Sequence, residues 1–157
     1  MNPASETLGS GAATRRAREH RERRASLMAA AESAFGREGY HGASITEIAR
    51  SAGYAVGTVY LYFEDKADLY GSLVLEKMEA LTALVGESLR PPRPAPEALR
   101  ESVRAQFAFH DANRPFFEIF LHQHQLASSP LHPRHWEAME KLKRRNLELI
   151  EACIARG

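Results

Sequence analysis

The sequence predicts an all-α protein of 157 residues. Three observations predict it. Apolar residues recur at helical spacing from Leu27 almost to the end. Hydroxyl or carboxylate residues precede several of these stripes, and glycine or proline follows them, as helix caps and stops require. No segment alternates apolar and polar residues as a half-buried strand does. Apolar residues make up 44% of the chain, enough for a packed core, which excludes wholesale disorder. Lys and Arg total 21 against 20 Asp and Glu, so a uniformly basic coat is excluded and only local clustering can serve a polyanion. The single cysteine, Cys153, excludes an intrachain disulfide and a multi-Cys zinc module. No apolar run approaches the ~18 residues of a membrane span, the longest being broken by Glu118, and the start lacks the apolar core of a secretory signal. The expectation is a cytoplasmic protein without a membrane partner.

Taken in order, residues 1–14 are small and polar without a period, and residues 15–24 hold six Arg and two Glu. Residues 1–20 read as a disordered basic arm. Such a run is either a solvated face or, beside a DNA-reading element, a strip against phosphates. Leu27, Ala31, Ala34 and Phe35, with Met28 beside them, then define a helix that Gly39 stops. Ser44 followed by Glu47 is a capping box that starts a second helix, with Ile45, Ile48, Ala49 and Ala52 on its apolar face and a turn at Gly53. A third short helix runs from about Val56 to Phe63, with Val56, Val59, Tyr60 and Phe63 as the buried stripe and Gly57, Thr58 and Leu61 opposite. Two short helices across a glycine turn, braced by a longer one, make a helix-turn-helix whose second member fits one major groove.

Asp65 and Asp68 open a fourth helix reaching about Leu89, along an apolar track of Leu69, Leu73, Leu81 and Leu84. Lys66 in its first turn opposes the helix dipole, so something negative should lie close by. Residues 91–96, with proline at four of six positions, read as a linker. Beyond it lie helices over 97–111, 115–125 and about 134–155, with a loop at 128–133 between the last two.

Residues 24–70 resemble the TetR family of bacterial transcriptional regulators. The resemblance rests on AlaPheGlyArgGluGlyTyr closing the first helix, IleThrGluIleAla in the second, AlaGlyTyrAlaValGlyThrValTyrLeuTyrPhe across the turn and third helix, and AspLysAlaAspLeu opening the fourth. It implies a three-helix DNA-binding domain at 21–70, a fourth helix joining it to a helical effector and dimer domain at 97–157, and repression relieved by a small hydrophobic effector. The implied partners are a double-stranded operator and a second copy of the chain. Implied DNA contacts are Ser44, Ile45 and Thr46 on the second helix and Ala55, Val56, Gly57, Thr58, Tyr60, Leu61 and Tyr62 across the third. Lys66 matches the family's phosphate-clamping lysine. Gly57 either lets the backbone approach DNA or avoids a clash with the second helix. Tyr60 is expected to pack its ring and offer its hydroxyl, and Tyr62 to point more outward.

Three positions depart from the family pattern. Ala55 cannot cap the third helix, Val56 replaces a residue that is often polar, and Leu61 replaces a long polar one. Val56 and Leu61 suit thymine methyls but cannot make bidentate hydrogen bonds, so either readout leans on apolar contact, on Thr58 and on DNA shape, or binding is weaker and looser. Family members also continue with two further helices that usually form the dimer interface. The expectation is a shortened effector domain, and the alternative function is an interaction or ligand-sequestering protein acting through a full-length partner.

Phe107, Phe116, Phe117, Phe120, Trp136 and Met139 are core by default, but an effector cavity uses the same residue types, with His110 as a polar contact. Among seven histidines, His122, His124, His132 and His135 are local. Their spacing and the lack of Cys or clustered carboxylates argue against a metal, and no cofactor is expected. No catalytic spacing or phosphate-cradling glycine loop is present, so an enzyme is not expected.

Overall fold

The structure, a computed structural model, describes residues 4–125 and 131–156. Among these the secondary structure is helical: α1 (Ala4–Gly42), α2 (Ile45–Ser51), α3 (Val56–Tyr60), α4 (Lys66–Ser88), α5 (Ala95–Ala112), α6 (Arg114–Gln125), a 3-10 turn (Pro133–His135) and α7 (Trp136–Ile154).

The first correction concerns the amino-terminal arm. Helix α1 already runs at Ala4, so the disorder expected through residue 20 is replaced by helix; residues 1–3 lie outside the described residues. Ala, Arg and Glu are strong helix formers. Arg15 pairs with Glu19 at 3.8 Å and Arg18 with Glu22 at 3.4 Å, each one turn apart. Gly39 breaks the helix as expected, at φ 70°. The Ser44 hydroxyl accepts from the Thr46 N–H at 3.2 Å and starts α2. Glu47 turns to Arg50, 3.8 Å away. Gly53 makes the α2–α3 turn at φ 78°.

Helix α3 ends at Tyr60, three residues before the expected Phe63. The chain continues as a turn in which Tyr62 and Phe63 N–H groups both donate to the Val59 carbonyl, at 3.0 Å each. Asp65 caps α4 by accepting from the Asp68 N–H at 2.7 Å.

The second correction is the linker. Helix α5 starts at Ala95, inside the 91–96 segment, because proline at the first helical positions needs no N–H partner. Ala95 and Ala98 are buried against Val85, Leu89 and Cys153 in a small apolar cluster. The prolines thus form a tight turn between packed helices. Residues 126–130, which include the first half of the expected 128–133 loop, lie outside the described residues. His132 accepts from the Arg134 N–H at 3.4 Å through Nδ1 and starts the 3-10 turn that leads into α7.

The main core joins the two ends of the chain. Leu27, Phe35, Ile48, Val59, Phe63, Leu69 and Tyr70 from α1–α4 pack with Phe116 of α6 and Met139 of α7. Burying side chains of that size is the dominant favourable term in folding. It packs the helix-turn-helix against α6 and α7.

Candidate nucleic-acid interface and effector cavity

The outward surface of α2 and α3 contains most of the expected DNA contacts. Thr46, Ala55, Gly57, Tyr60 and Leu61 are exposed, Leu61 at 80% and Tyr60 at 55%. Ser44 and Thr58 are half-buried, Ser44 being engaged as the α2 cap. Ile45 and Val56 pack partly against the core, leaving only an edge outward. Ala55 leaves α3 without a side-chain cap, as its identity dictates. A Cβ on Gly57 would meet nothing within 4 Å. The fold itself therefore does not require glycine there, which removes the reading that it avoids α2.

The two tyrosines exchange the roles expected of them. Tyr60 falls by spacing on the buried stripe, yet it is exposed. Tyr62 is expected to point outward, yet it packs on the core and lies 4.5 Å, ring to ring, from His20. The cause is the early end of α3: past Leu61 the 3.6-residue period no longer applies, and the turn swings Tyr62 back onto α1.

Lys66 finds its negative neighbours inside the chain. Its ammonium donates to the carbonyls of His41 at 3.3 Å and Ala43 at 3.1 Å, and sits 4.8 Å from the Tyr40 ring centroid. The lysine thereby pins the α1–α2 turn to the start of α4.

A buried charged cluster lies at the first turn of α4, and sequence reasoning missed it. Asp68 is fully buried. One of its oxygens accepts from the Glu64 N–H at 2.8 Å, and the other lies 2.8 Å from His135 Nε2 and pairs with the Arg134 guanidinium. Glu64 adds contacts to His132 at 3.5 Å and Arg134 at 3.8 Å. Gly71 makes room: a Cβ there would collide with the His135 ring. The segment before α7 is thus clamped onto the helix that follows the helix-turn-helix. Asp68 sits where any helix start favours a carboxylate, so its sequence signal is the ordinary dipole one and nothing in it points to residue 135.

A cavity of about 310 Å³ opens between α4, α5 and α6, lined by Leu81, Val103, Gln106, Phe107, His110 and Phe117. The His110 ring stacks on Phe117 at 4.8 Å. Of the expected effector residues, Phe107, His110 and Phe117 meet here. Phe116 and Met139 belong to the core instead, and Phe120 packs against it. Trp136 belongs neither to the core nor to the lining of this cavity: it is 56% exposed, with its indole N–H donating to the Leu131 carbonyl at 3.3 Å. Phe107 is 68% exposed at the cavity rim, not core. Leu81, Val103 and Gln106 were missed because each reads as an ordinary helix residue. Among the described residues no group of three or more His, Cys, Asp or Glu could hold a metal ion. The side chains of His122 and His124 lie outside the described residues. No described helix is long and apolar enough to cross a membrane.

Residues 27–73 match the family model of bacterial regulatory proteins, tetR family. The chain is 34% identical over 82 residues to the fatty acid metabolism regulator protein of Bacillus subtilis, covering 52% of this chain and 42% of that one. It is 36% identical over 93 residues to the HTH-type transcriptional activator FasR of Mycolicibacterium smegmatis, covering 58% and 42% respectively. The matches therefore span less than half the length of these relatives. Among solved structures, the TetR family regulator PfmR of Thermus thermophilus superposes with a TM-score of 0.70 at 25% identity, covering 83% of this chain and 69% of that one. FadR of Bacillus subtilis in complex with stearoyl-CoA superposes with a TM-score of 0.67 at 25% identity, covering 84% and 69%.

Proposed function

This chain belongs to the TetR family of bacterial regulatory proteins through its residues 27–73, and we propose that it binds operator DNA as a homodimeric transcriptional repressor released by a long-chain acyl effector. The observation that carries the DNA-binding reading is the exposed face of α3. Gly57 and Leu61 stand free of the fold and Tyr60 projects beside them, a short helix end able to enter a major groove. Leu61 and the outward edge of Val56 suit thymine methyls, and Tyr60 and Thr58 supply hydroxyls for phosphate or base edges.

The effector reading rests on the cavity between α4, α5 and α6. Its lining is mostly apolar, with Gln106 and His110 as polar groups, and its size falls within the ordinary range for small-molecule sites. The choice of an acyl group follows the Bacillus subtilis neighbour that holds stearoyl-CoA. Leu81 carries the cavity wall on α4, the same helix whose first turn holds Lys66 and Asp68. An occupant that bound one tilt of α4 better than another would shift the DNA-reading unit by that difference in affinity.

The test is fluorescence anisotropy on a duplex from upstream of the chain's own coding region, with and without stearoyl-CoA. Binding that stearoyl-CoA reverses is the expected result. Binding that stearoyl-CoA leaves unchanged overturns the effector assignment. No binding to that duplex, nor to any fragment of a genomic selection, overturns the operator assignment.

A further inference from the structure

We propose that Leu61 reads the C5-methyl group of a pyrimidine, so that this protein accepts 5-methylcytosine where it accepts thymine and discriminates against unmethylated cytosine. The proposal rests on the DNA-binding reading above and goes beyond it by making cytosine methylation of the bound site a regulatory signal.

Three observations carry it. The first is what the reading segment lacks. From Ser51 to Phe63 the chain holds no Arg, Lys, His, Asn, Gln, Asp or Glu. Arg and Lys are the side chains that read guanine O6 and N7, Asn and Gln read adenine, and Asp or Glu accept from the cytosine amino group. None of these pairings is open to α3. The exposed charged residues of α2, Glu47 and Arg50, lie 3.8 Å apart and pair with each other.

The second observation is where Leu61 stands. It is 80% exposed, yet it keeps helical backbone angles, φ −75° and ψ −19°, and its N–H donates to the Thr58 carbonyl at 3.2 Å. It therefore lies one turn beyond Gly57 on the same face. A Cβ on Gly57 would meet nothing within 4 Å, so the backbone there is bare and free to approach a groove floor. That approach carries the Leu61 side chain to the base edges.

The third observation is the company Leu61 keeps. Thr58 and Tyr60 are the polar side chains of α3. A hydroxyl both donates and accepts, so it serves thymine O4 and the cytosine N4 amino group alike. Thymine and 5-methylcytosine present the same methyl at the same place in the major groove and differ beside it in that one polar group. Leucine touches the methyl alone. Neither Leu61 nor the two hydroxyls can tell these bases apart, whereas unmethylated cytosine offers no methyl to bury. Burial of one such group corresponds to about fourfold in affinity.

The probe is the tightest-binding duplex among the upstream fragment and the products of a genomic selection. Its thymines are replaced one at a time by deoxyuridine, which removes only the methyl. Affinity is read by fluorescence anisotropy for the parent, Leu61→Ala and Leu61→Met. Both substitutions fall at an exposed position, and circular dichroism verifies folding. At the thymine whose methyl matters most, the T·A pair is then changed to C·G or to 5-methylcytosine·G. In the parent, uracil at one or two positions of a half-site should weaken binding about fourfold, and about fifteenfold when both half-sites are altered. Leu61→Ala should bind the thymine and uracil forms alike, and Leu61→Met, which keeps an apolar reach, should retain the difference. The 5-methylcytosine form should bind about fourfold more tightly than the cytosine form.

Parent affinity that uracil leaves unchanged at every position overturns this inference while leaving the helix-turn-helix assignment intact. An equal uracil penalty in Leu61→Ala also overturns it, because the methyls then act through the shape of the duplex. So does a 5-methylcytosine form that binds no better than the cytosine form. A parent that binds no duplex removes both readings together.

Discussion

Tyr70 is fully buried, edge-on to Phe35 at 5.4 Å and to Tyr40 at 5.2 Å, and its hydroxyl has no hydrogen-bond partner among the described residues. Burial pushes its ionisation well above the ordinary tyrosine value of 10.0, with Tyr40 adding to the shift. Tyr40 is raised too, by burial and then by Asp65. The folded state keeps both rings neutral where the unfolded chain would ionise them. Their contribution is full below about pH 10 and is lost as pH climbs above it. Tyr70→Phe should be neutral or stabilising by up to about 1 kcal/mol at pH 7, since it removes an unpaired buried hydroxyl. Its alkaline unfolding midpoint should move upward. Denaturant melts at pH 7 and pH 11 check both, and a clear loss at pH 7 would reveal a partner for the hydroxyl. Lys66 carries the opposite lesson. Because its ammonium holds two carbonyls of the α1–α2 turn, Lys66→Ala should cost about 1 kcal/mol or more and lower Tm by a few degrees in the absence of DNA. A pure phosphate contact would leave that melt unchanged.

At the scale of elements, α3 is short and lacks a side-chain cap. Ala55 already has the extended backbone of a cap residue, φ −71° and ψ 151°, so Ala55→Ser adds an acceptor for the free N–H groups without moving the chain. A gain of about 0.5–1 kcal/mol in chemical denaturation is expected. The α4–α7 contact rests on the opposite kind of fit. Gly71 leaves space for the His135 ring, and Gly71→Ala should displace it and cost about 1–3 kcal/mol. His135→Ala added to Gly71→Ala should recover part of that loss, and a double-mutant cycle measures the coupling. Strict additivity would mean the two do not touch.

Across the whole molecule, a single main core spans α1–α4 and reaches Phe116 and Met139. The proline segment at 91–96 therefore separates no independent bodies. Motion that reaches the helix-turn-helix must pass through packed helices, α4 above all, which carries the cavity wall at Leu81 and the Asp68 cluster at its start. Val103→Glu places a carboxylate in the apolar cavity at a half-exposed position, so folding tolerates it. Stearoyl-CoA should bind this variant at least about tenfold more weakly by calorimetry, the cost of burying or excluding a charge. Duplex affinity should stay at the parent's level. Unchanged acyl binding would remove the cavity as the effector site.

By itself the sequence determined the order of the helices from Leu27 onward, though not where α3 ends or α5 begins, together with the Ser44 and Asp65 caps, the Gly39 and Gly53 turns and the helix-turn-helix. All of these depend on residues within a turn of one another, and a 3.6-residue period with its stop signals records them. It misread residues 4–20, where tail-like composition outweighed the helix propensity of Ala, Arg and Glu, and residues 91–96, where proline density hid a helix start. Only the tertiary structure decided which tyrosine faces outward, what Lys66 holds, and that Asp68 meets His135, 67 positions away. It also decided which aromatics line the cavity and which fill the core. These outcomes turn on how one helix is rotated and seated against another. Periodicity says which face of each helix is apolar, but not which partner that face will meet.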